Sequence, residues 1–246
     1  MLSRITPTEE HRLQINRNPH VLAKHDYLNE TFNDRWIIEY VFPGKEDGYF
    51  VEAGAANGKD ASSCYLLETQ LNWRGICIEP HPQFAPLVQK NRPNSIHEQV
   101  CLSDQVEFVA FIIAGGDPDV SPYISGVKGS LEDYKWQGRE VVHGGESQTM
   151  QAVPLVDLLR RHHAPKVIDY AAFDIEGSEF KVIDTFPFDE YRFLALSVES
   201  DEWVWEKMLP RLQRFGYRQV ANPFCDKVWE KYCVHESIWD ESFVGL

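Results

Sequence analysis

Three runs of this 246-residue chain set carboxylates and glycines at spacings that binding and catalysis use. The first, residues 49–79, reads YFVEAGAANGKDASSCYLLETQLNWRGICIE. It has the pattern of a strand, a glycine turn, a helix and a second strand closing on an acid. Gly54 and Gly58 bracket the turn, where a missing side chain lets a ligand approach the backbone. Glu79 stands at the carboxyl end of the second strand, where open α/β sheets bind ligands, and an acid there accepts hydrogen bonds from two ribose hydroxyls. A nucleoside-containing cofactor is therefore expected. The second run, VIDYAAFDIEGSEF, carries Asp174 and Glu176; the third, FLALSVESD, carries Glu199 and Asp201. If their strands are parallel neighbours, these four acids converge on one cleft. Convergent carboxylates have two uses. They hold a hard cation such as Mg²⁺ through oxygen ligands, which acidifies a substrate hydroxyl, or one acts as a general base without metal. Asp174 is the first candidate for the reacting group, whereas Glu176 and Glu179 also suit a helix N-terminus.

The turn itself discriminates between cofactors. A dinucleotide fingerprint, GxGxxG, needs its second glycine two positions after the first, and Ala56 occupies that place. Glu52, inside the strand end, would repel a pyrophosphate but suits an ammonium such as that of the methionine part of S-adenosylmethionine. The pattern favours S-adenosylmethionine over NAD. Glu52, Gly54, Ala55, Asn57, Gly58, Glu79 and Pro80 form the expected cofactor surface.

The elements that must hold these residues follow from composition and periodicity. Helices are expected over 60–70, 82–90 and 155–162, and strands over 49–51, 74–78, 95–102, 106–113 and 169–173. The third strand ends in Ser103-Asp104, at which Asp104 either meets the adenine amino group or forms an ordinary Ser-Asp turn. Residues 114–148 are rich in Gly, Ser, Asp and Pro, and a connection of that length is commonly functional or mobile. This insertion brings Tyr123, Ser125, Tyr134, Trp136, Arg139 and His143 as groups for a polar or sugar-like substrate. His143, beside two glycines, is an alternative general base, or incidental. Leu28, Phe32, Trp36, Ile37 and Tyr40 predict a helix over 25–40 within an N-terminal cap or lid, residues 1–45, ahead of one domain over 46–246.

Composition narrows the partners. The formal net charge of −14 disfavours nucleic acid and anionic membrane surfaces. The basic cluster Arg160-Arg161-His162-His163 falls on an amphipathic helix and reads as a solvated face. A hydrophobic content of 43% indicates a globular chain with a substantial core. No apolar run approaches the roughly 20 residues of a membrane span, and the first residues lack a signal-peptide core. Five cysteines without CxxC spacing suit a reducing cytoplasm. The acceptor is expected to be a small molecule, and an oligomer remains compatible with the sequence.

The ordered segments FVEAGAANGKDASSCYLLETQLNWRGICIEPHP, CLSD, VPLVDLL and DYAAFDIEGSEFKVI resemble the FkbM-type methyltransferases across roughly residues 48–200. The resemblance implies an α/β, Rossmann-like class I methyltransferase fold. Its seven-stranded sheet has six parallel strands and one antiparallel strand at the edge, helices on both faces, and a C-terminal β-hairpin formed by GYRQVANPF and KVWEKYCVHES. By position it places Glu52, Gly54 and Gly58 at the methionine end of S-adenosylmethionine, Glu79 on the ribose, Ser103 and Asp104 by the adenine, and Asp174 next to the reacting methyl. Glu52 and Ala56 depart from residues common in that family, as does Ser62-Ser63 at the helix start, which bears on the substrate side. The implied activity is O-methylation of a hydroxyl on a sugar or glycosylated small molecule. A non-catalytic binding module on the same fold and an NAD-dependent oxidoreductase are the alternatives.

Overall fold

The computed structural model describes residues 26–115, 121–131, 135–136, 139–140, 145–240 and 243. Seven strands make the main sheet: β1 (Tyr49–Ala53), β2 (Arg74–Ile78), β3 (Ile96–Glu98), β10 (Val167–Phe173), β11 (Arg192–Glu199), β12 (Tyr217–Val220) and β13 (Glu230–His235). Their order is β12-β13-β11-β10-β1-β2-β3. All are parallel except β13, which runs antiparallel to both neighbours. The predicted seven-stranded sheet and C-terminal hairpin are present. The antiparallel strand sits one place in from the edge, because β12 forms the outer strand.

Alternate side chains fill opposite faces of this sheet. Val51, Ala53, Ile76 and Ile78 enter one core with α5 (Leu155–Arg161), α6 (Glu179–Thr185) and α7 (Glu202–Arg214). Phe50, Cys77, Tyr170 and Ala172 enter the other, with α2 (Tyr65–Leu71) and α3 (Ala85–Asn91). The same face takes α1, a single α-turn (Asn33–Arg35) that continues as a π-helical turn (Trp36–Val41). The register sets Ala53 beside both Ile78 and Phe173, and Phe173 beside Val198. The residues just beyond these strand ends therefore share one rim. The chain order reverses between β1 and β10, the switch point at which such sheets open a crevice.

Several predicted elements differ in extent. The helix expected over 60–70 begins only at Tyr65, since Ala56, Gly58 and Ala61 hold positive φ and the Ser62 hydroxyl accepts from the amides of Cys64 and Tyr65. The helix expected over 25–40 is confined to 33–41 among the described residues. Ahead of it, Asn29 and Asp34 bond nearby backbone amides and compete with helical bonding. The third strand divides, because β4 (Cys101–Leu102) leaves the main sheet for a second one ordered β4-β9-β5-β6. There β5 (Glu107–Ala114) pairs antiparallel with β9 (Gly145–Val153) over eight residue pairs, and β6 (Gly126–Val127) covers part of the other edge of β5. The amino half of β9 was expected to be irregular; its first residues, Gly145, Glu146 and Ser147, are all exposed, so no alternation marks that end. Within the insertion lie α4 (Lys128–Leu131) and the small hairpin β7 (Lys135–Trp136) and β8 (Arg139–Glu140). Among the described residues no helix is long and apolar enough to cross a membrane.

Candidate functional site

A cleft of about 370 Å³ opens at the carboxyl ends of β1, β2, β10 and β11. Gly54, Ala55 and Ala56 line it from the first turn, and Glu79 and Pro80 from the end of β2. Gly54, at φ 85°, lies against the Asp174 carbonyl, so the β1 and β10 ends meet without room for a side chain. Glu79 is buried and ties the turn to β2: its two oxygens accept from the amides of Ala56 and His81, both at 2.7 Å. Ile78, Phe84, Val100, Leu102 and Phe111 supply an apolar wall suited to a flat base. Tyr123, from a 3-10 turn over Ser121–Ile124, packs on Phe84 at 5.0 Å between ring centroids.

Other expected residues stand elsewhere. Gly58 does not line the cleft. Its φ is +78°, and a Cβ there would lie 2.9 Å from the Cα of Val88, so its glycine serves close packing on α3. Asn57 is half-buried; its side-chain oxygen caps the amides of Lys59 and Asp60, and its carbonyl accepts from Asn91. Ser103 and Asp104 also fall outside the lining. The Ser103 hydroxyl donates to Glu107 at 2.5 Å, and Asp104 pairs with Lys181 at 3.0 Å. The Glu52 carboxylate accepts from Ser62, Cys64 N and Arg92, so an ammonium would compete with three donors of the protein's own. His143 and Tyr134 lie outside the described residues, as do the side chains of Trp136 and Arg139. Arg160 pairs with Asp157 and Glu190, and Arg161 and His162 meet Glu98, in keeping with a solvated face.

Three of the four expected acids converge. One carboxylate oxygen each from Asp174, Glu176 and Glu199 lie within 4.8 Å of one another, whereas Asp201 is the N-cap residue of α7 and stays outside the group. Glu179 bonds the Ile175 amide at 2.7 Å, which is the helix-start role open to it. Asp174 is accessible from the cleft yet surrounded by protein; burial raises its pKa, opposed by a hydrogen bond from Glu199. Glu199 is raised well above the ordinary range by burial and then by the Asp174 charge. Glu199 therefore keeps the proton and donates it, and Asp174 is the member that ionises first.

A second cavity of about 40 Å³ shares Glu30, Gly54, Ala61, Asp174 and Glu199 with the cleft. Asn29, Asn33, Ser197 and Glu230 line it further. Asn33 donates to Glu230 at 2.9 Å, and Tyr232 donates to Asn33, which fastens the N-terminal segment over the strand ends. Spacing in the sequence pointed to none of these residues, because Asn33 and Glu230 meet across 197 positions. No Lys or Arg lines either cavity among the described residues. That donor set suits a sulfonium and a ribose better than a pyrophosphate.

The same burial gives a signed pH dependence. Glu79 and Glu230 are pushed from 4.5 up to about 8, desolvation being the first cause for each. A carboxyl whose folded value is raised contributes stability fully below its unfolded value and loses it as pH rises through the folded value. Above the range in which the depressed His81, His97 and His235 oppose the trend, the cofactor-free protein is thus expected to melt at progressively lower temperature from 6.5 up to about 8. A bound sulfonium favours the ionised acids, so S-adenosylmethionine should release more protons than the neutral thioether S-adenosylhomocysteine. Thermal melts over that pH range and calorimetry in buffers of different ionisation enthalpy measure both. A melting temperature that climbs across the window would contradict neutral buried acids.

Comparison with solved structures gives similar chains at low identity. Aeropyrum pernix fibrillarin, in complex with natively bound S-adenosyl-L-methionine, is 12% identical over 85% of this chain and 75% of its own, with a TM-score of 0.44. A TehB-like SAM-dependent methyltransferase from Corynebacterium glutamicum is 10% identical, covering 96% and 97%, with a TM-score of 0.42. The Methanococcus jannaschii fibrillarin pre-rRNA processing protein is 11% identical, covering 80% and 70%, with a TM-score of 0.40. No curated protein matches the chain by sequence. Residues 52–219, which hold Gly54, Glu79, Asp174 and Glu199, match the methyltransferase FkbM domain, and with well over half its length matched the chain belongs to that S-adenosylmethionine-dependent methyltransferase family.

Proposed function

We propose that the protein transfers the methyl of S-adenosylmethionine to a hydroxyl of a sugar or glycosylated small molecule. The observation that carries this reading is the convergence of the Asp174, Glu176 and Glu199 carboxylates on the cleft wall. Glu79 would hold the ribose, the wall of Ile78, Phe84, Val100 and Leu102 the adenine, and the backbone at Gly54 the methionine end. When bound, the cofactor supplies a methyl already activated as a sulfonium. What remains for the protein is to align an acceptor and remove its proton; alignment alone is worth on the order of 7 kcal/mol or more. Asp174 takes the hydroxyl proton at its carboxylate, and Glu199 holds Asp174 in place through its own proton. A cleft without described Lys or Arg side chains favours an uncharged polyol over a phosphorylated or carboxylated acceptor. Asp174, Glu176 and Glu199 have the oxygen chemistry to hold Mg²⁺ as well.

The test is formation of S-adenosylhomocysteine from S-adenosylmethionine against a panel of neutral glycosides, uronates and sugar phosphates, with EDTA and with added Mg²⁺. Turnover on neutral glycosides, with a methyl ether located by mass spectrometry, is the expected result. A methyl placed only on the carboxylate or phosphate group of those acceptors would sink the hydroxyl assignment. Activity unchanged by EDTA would remove the metal and leave Asp174 as a base alone.

A further inference from the structure

Beneath the turn over residues 54–63 lies a charge cluster closed off from solvent. Glu52 at the end of β1, Glu68 on α2 and Arg92 just after α3 are each at most 3% exposed. The Arg92 guanidinium reaches all parts of it: Nη1 donates to Glu52 Oε2 at 2.6 Å and to Ser62 Oγ at 3.1 Å, and Nε donates to Glu68 Oε2 at 2.8 Å. Glu52 accepts from the Ser62 hydroxyl at 2.7 Å, and that hydroxyl accepts from Tyr65 N at 3.0 Å. Ser62 and Ala61 line the cofactor cleft. In the middle of the turn, a Cβ on Gly58 would lie 3.1 Å from Arg92 Cγ. One side chain thus touches the strand end, the middle of the turn and the helix that follows it.

We infer that Arg92 is a positioning residue for the cofactor, fixing the 54–63 turn in the shape that forms the cleft wall. The inference rests on the reading of that cleft as the S-adenosylmethionine site. The turn needs such a clamp because Ala56, Gly58 and Ala61 all sit at positive φ, a conformation that two of these residues do not favour by themselves. The clamp requires a fork. Lysine offers a point charge and cannot bond Glu52, Glu68 and Ser62 in one plane. Without it the turn visits other conformations, and the apparent affinity falls by the fraction of time the competent shape is lost. A role confined to stability predicts something else: fewer folded molecules, each binding the cofactor as before.

Three variants separate these outcomes by calorimetry with S-adenosylhomocysteine, with thermal melts and amide hydrogen exchange alongside. Arg92→Lys is expected to weaken binding about tenfold or more, with faster exchange over 54–64 and unchanged exchange in β10. Arg92→Met combined with Glu52→Gln and Glu68→Gln leaves no unpaired charge buried in the cluster, and so should regain melting temperature without regaining affinity. Leu212→Ala, on the core face of α7, lowers stability away from the turn and should leave affinity intact. Arg92→Lys binding within twofold of wild type would overturn the inference. So would full recovery of affinity in the charge-free combined variant, or equal weakening in Leu212→Ala at matched stability. If the wild-type protein itself failed to bind S-adenosylhomocysteine, the cofactor reading would fall, and the role of Arg92 with it.

Discussion

Asp174→Asn is expected to lower the rate of methyl transfer by roughly 10²- to 10⁴-fold, the range general-base removal produces. Affinity for S-adenosylhomocysteine should change by no more than about threefold, since the loss belongs to the transition state. The asparagine amide fills the same volume and can accept a hydrogen bond from Glu199, so the geometry survives while the proton acceptor is lost. Glu199→Gln provides the contrast. Its amide still donates toward Asp174, and the expected loss is about tenfold or less. If the two variants fell equally, proton transfer would belong to the pair as a unit. If Asp174→Asn kept full turnover with intact cofactor affinity, Asp174 would not be the base. Single-turnover measurement at saturating S-adenosylmethionine reads the chemical step directly.

The sheet was legible because its strands are short, apolar and followed by chemistry-bearing residues. Val51, Ile76, Ala171 and Leu196 are wholly buried, and such runs announce themselves. The convergence of Asp174 with Glu199 followed from the parallel arrangement alone, as the register Phe173↔Val198 requires. What the sequence hid was of two kinds. Turn residues carried more than one meaning: Gly58 signals a tight backbone, yet nothing local says that α3, rather than a ligand, lies against it. Distant partners carried no local mark at all. Glu52 looks like a ligand for an ammonium until Arg92, 40 residues on, closes over it, and Asp104 looks like an adenine ligand until Lys181 pairs with it. In β9 the polar exposed strand was missed for the converse reason, since β5 supplies all its hydrogen bonds on one edge and little burial marks its amino half.

Gly54→Ala is the second substitution with a large expected effect, on both cofactor affinity and stability. A Cβ built there falls well inside contact with the carbonyl oxygen of Asp174, a backbone atom that cannot swing aside. Neither strand end is free to retreat. Gly54 N donates to Ile78 O, and Asp174 N donates to Ala53 O, both at 3.0 Å. The φ of +85° adds a conformational penalty of about 1 kcal/mol or more for any L side chain. Relief requires β1 and β10 to part where Gly54 and Asp174 form the shared wall of both cavities. Loss of S-adenosylhomocysteine affinity by about 100-fold or more, and destabilisation on the order of 3 kcal/mol or more, are expected. Gly58→Ala should cost less, because its nearest clash is with Val88 and Arg92 behind the turn. Gly129→Ala meets nothing within 4 Å and should be close to neutral. Measured by calorimetry and thermal melts, the ranking Gly54, then Gly58, then Gly129 is the signature of a cleft wall built from backbone. A Gly54→Ala protein that bound the cofactor within about threefold of wild type would show that the β1 turn is not that wall.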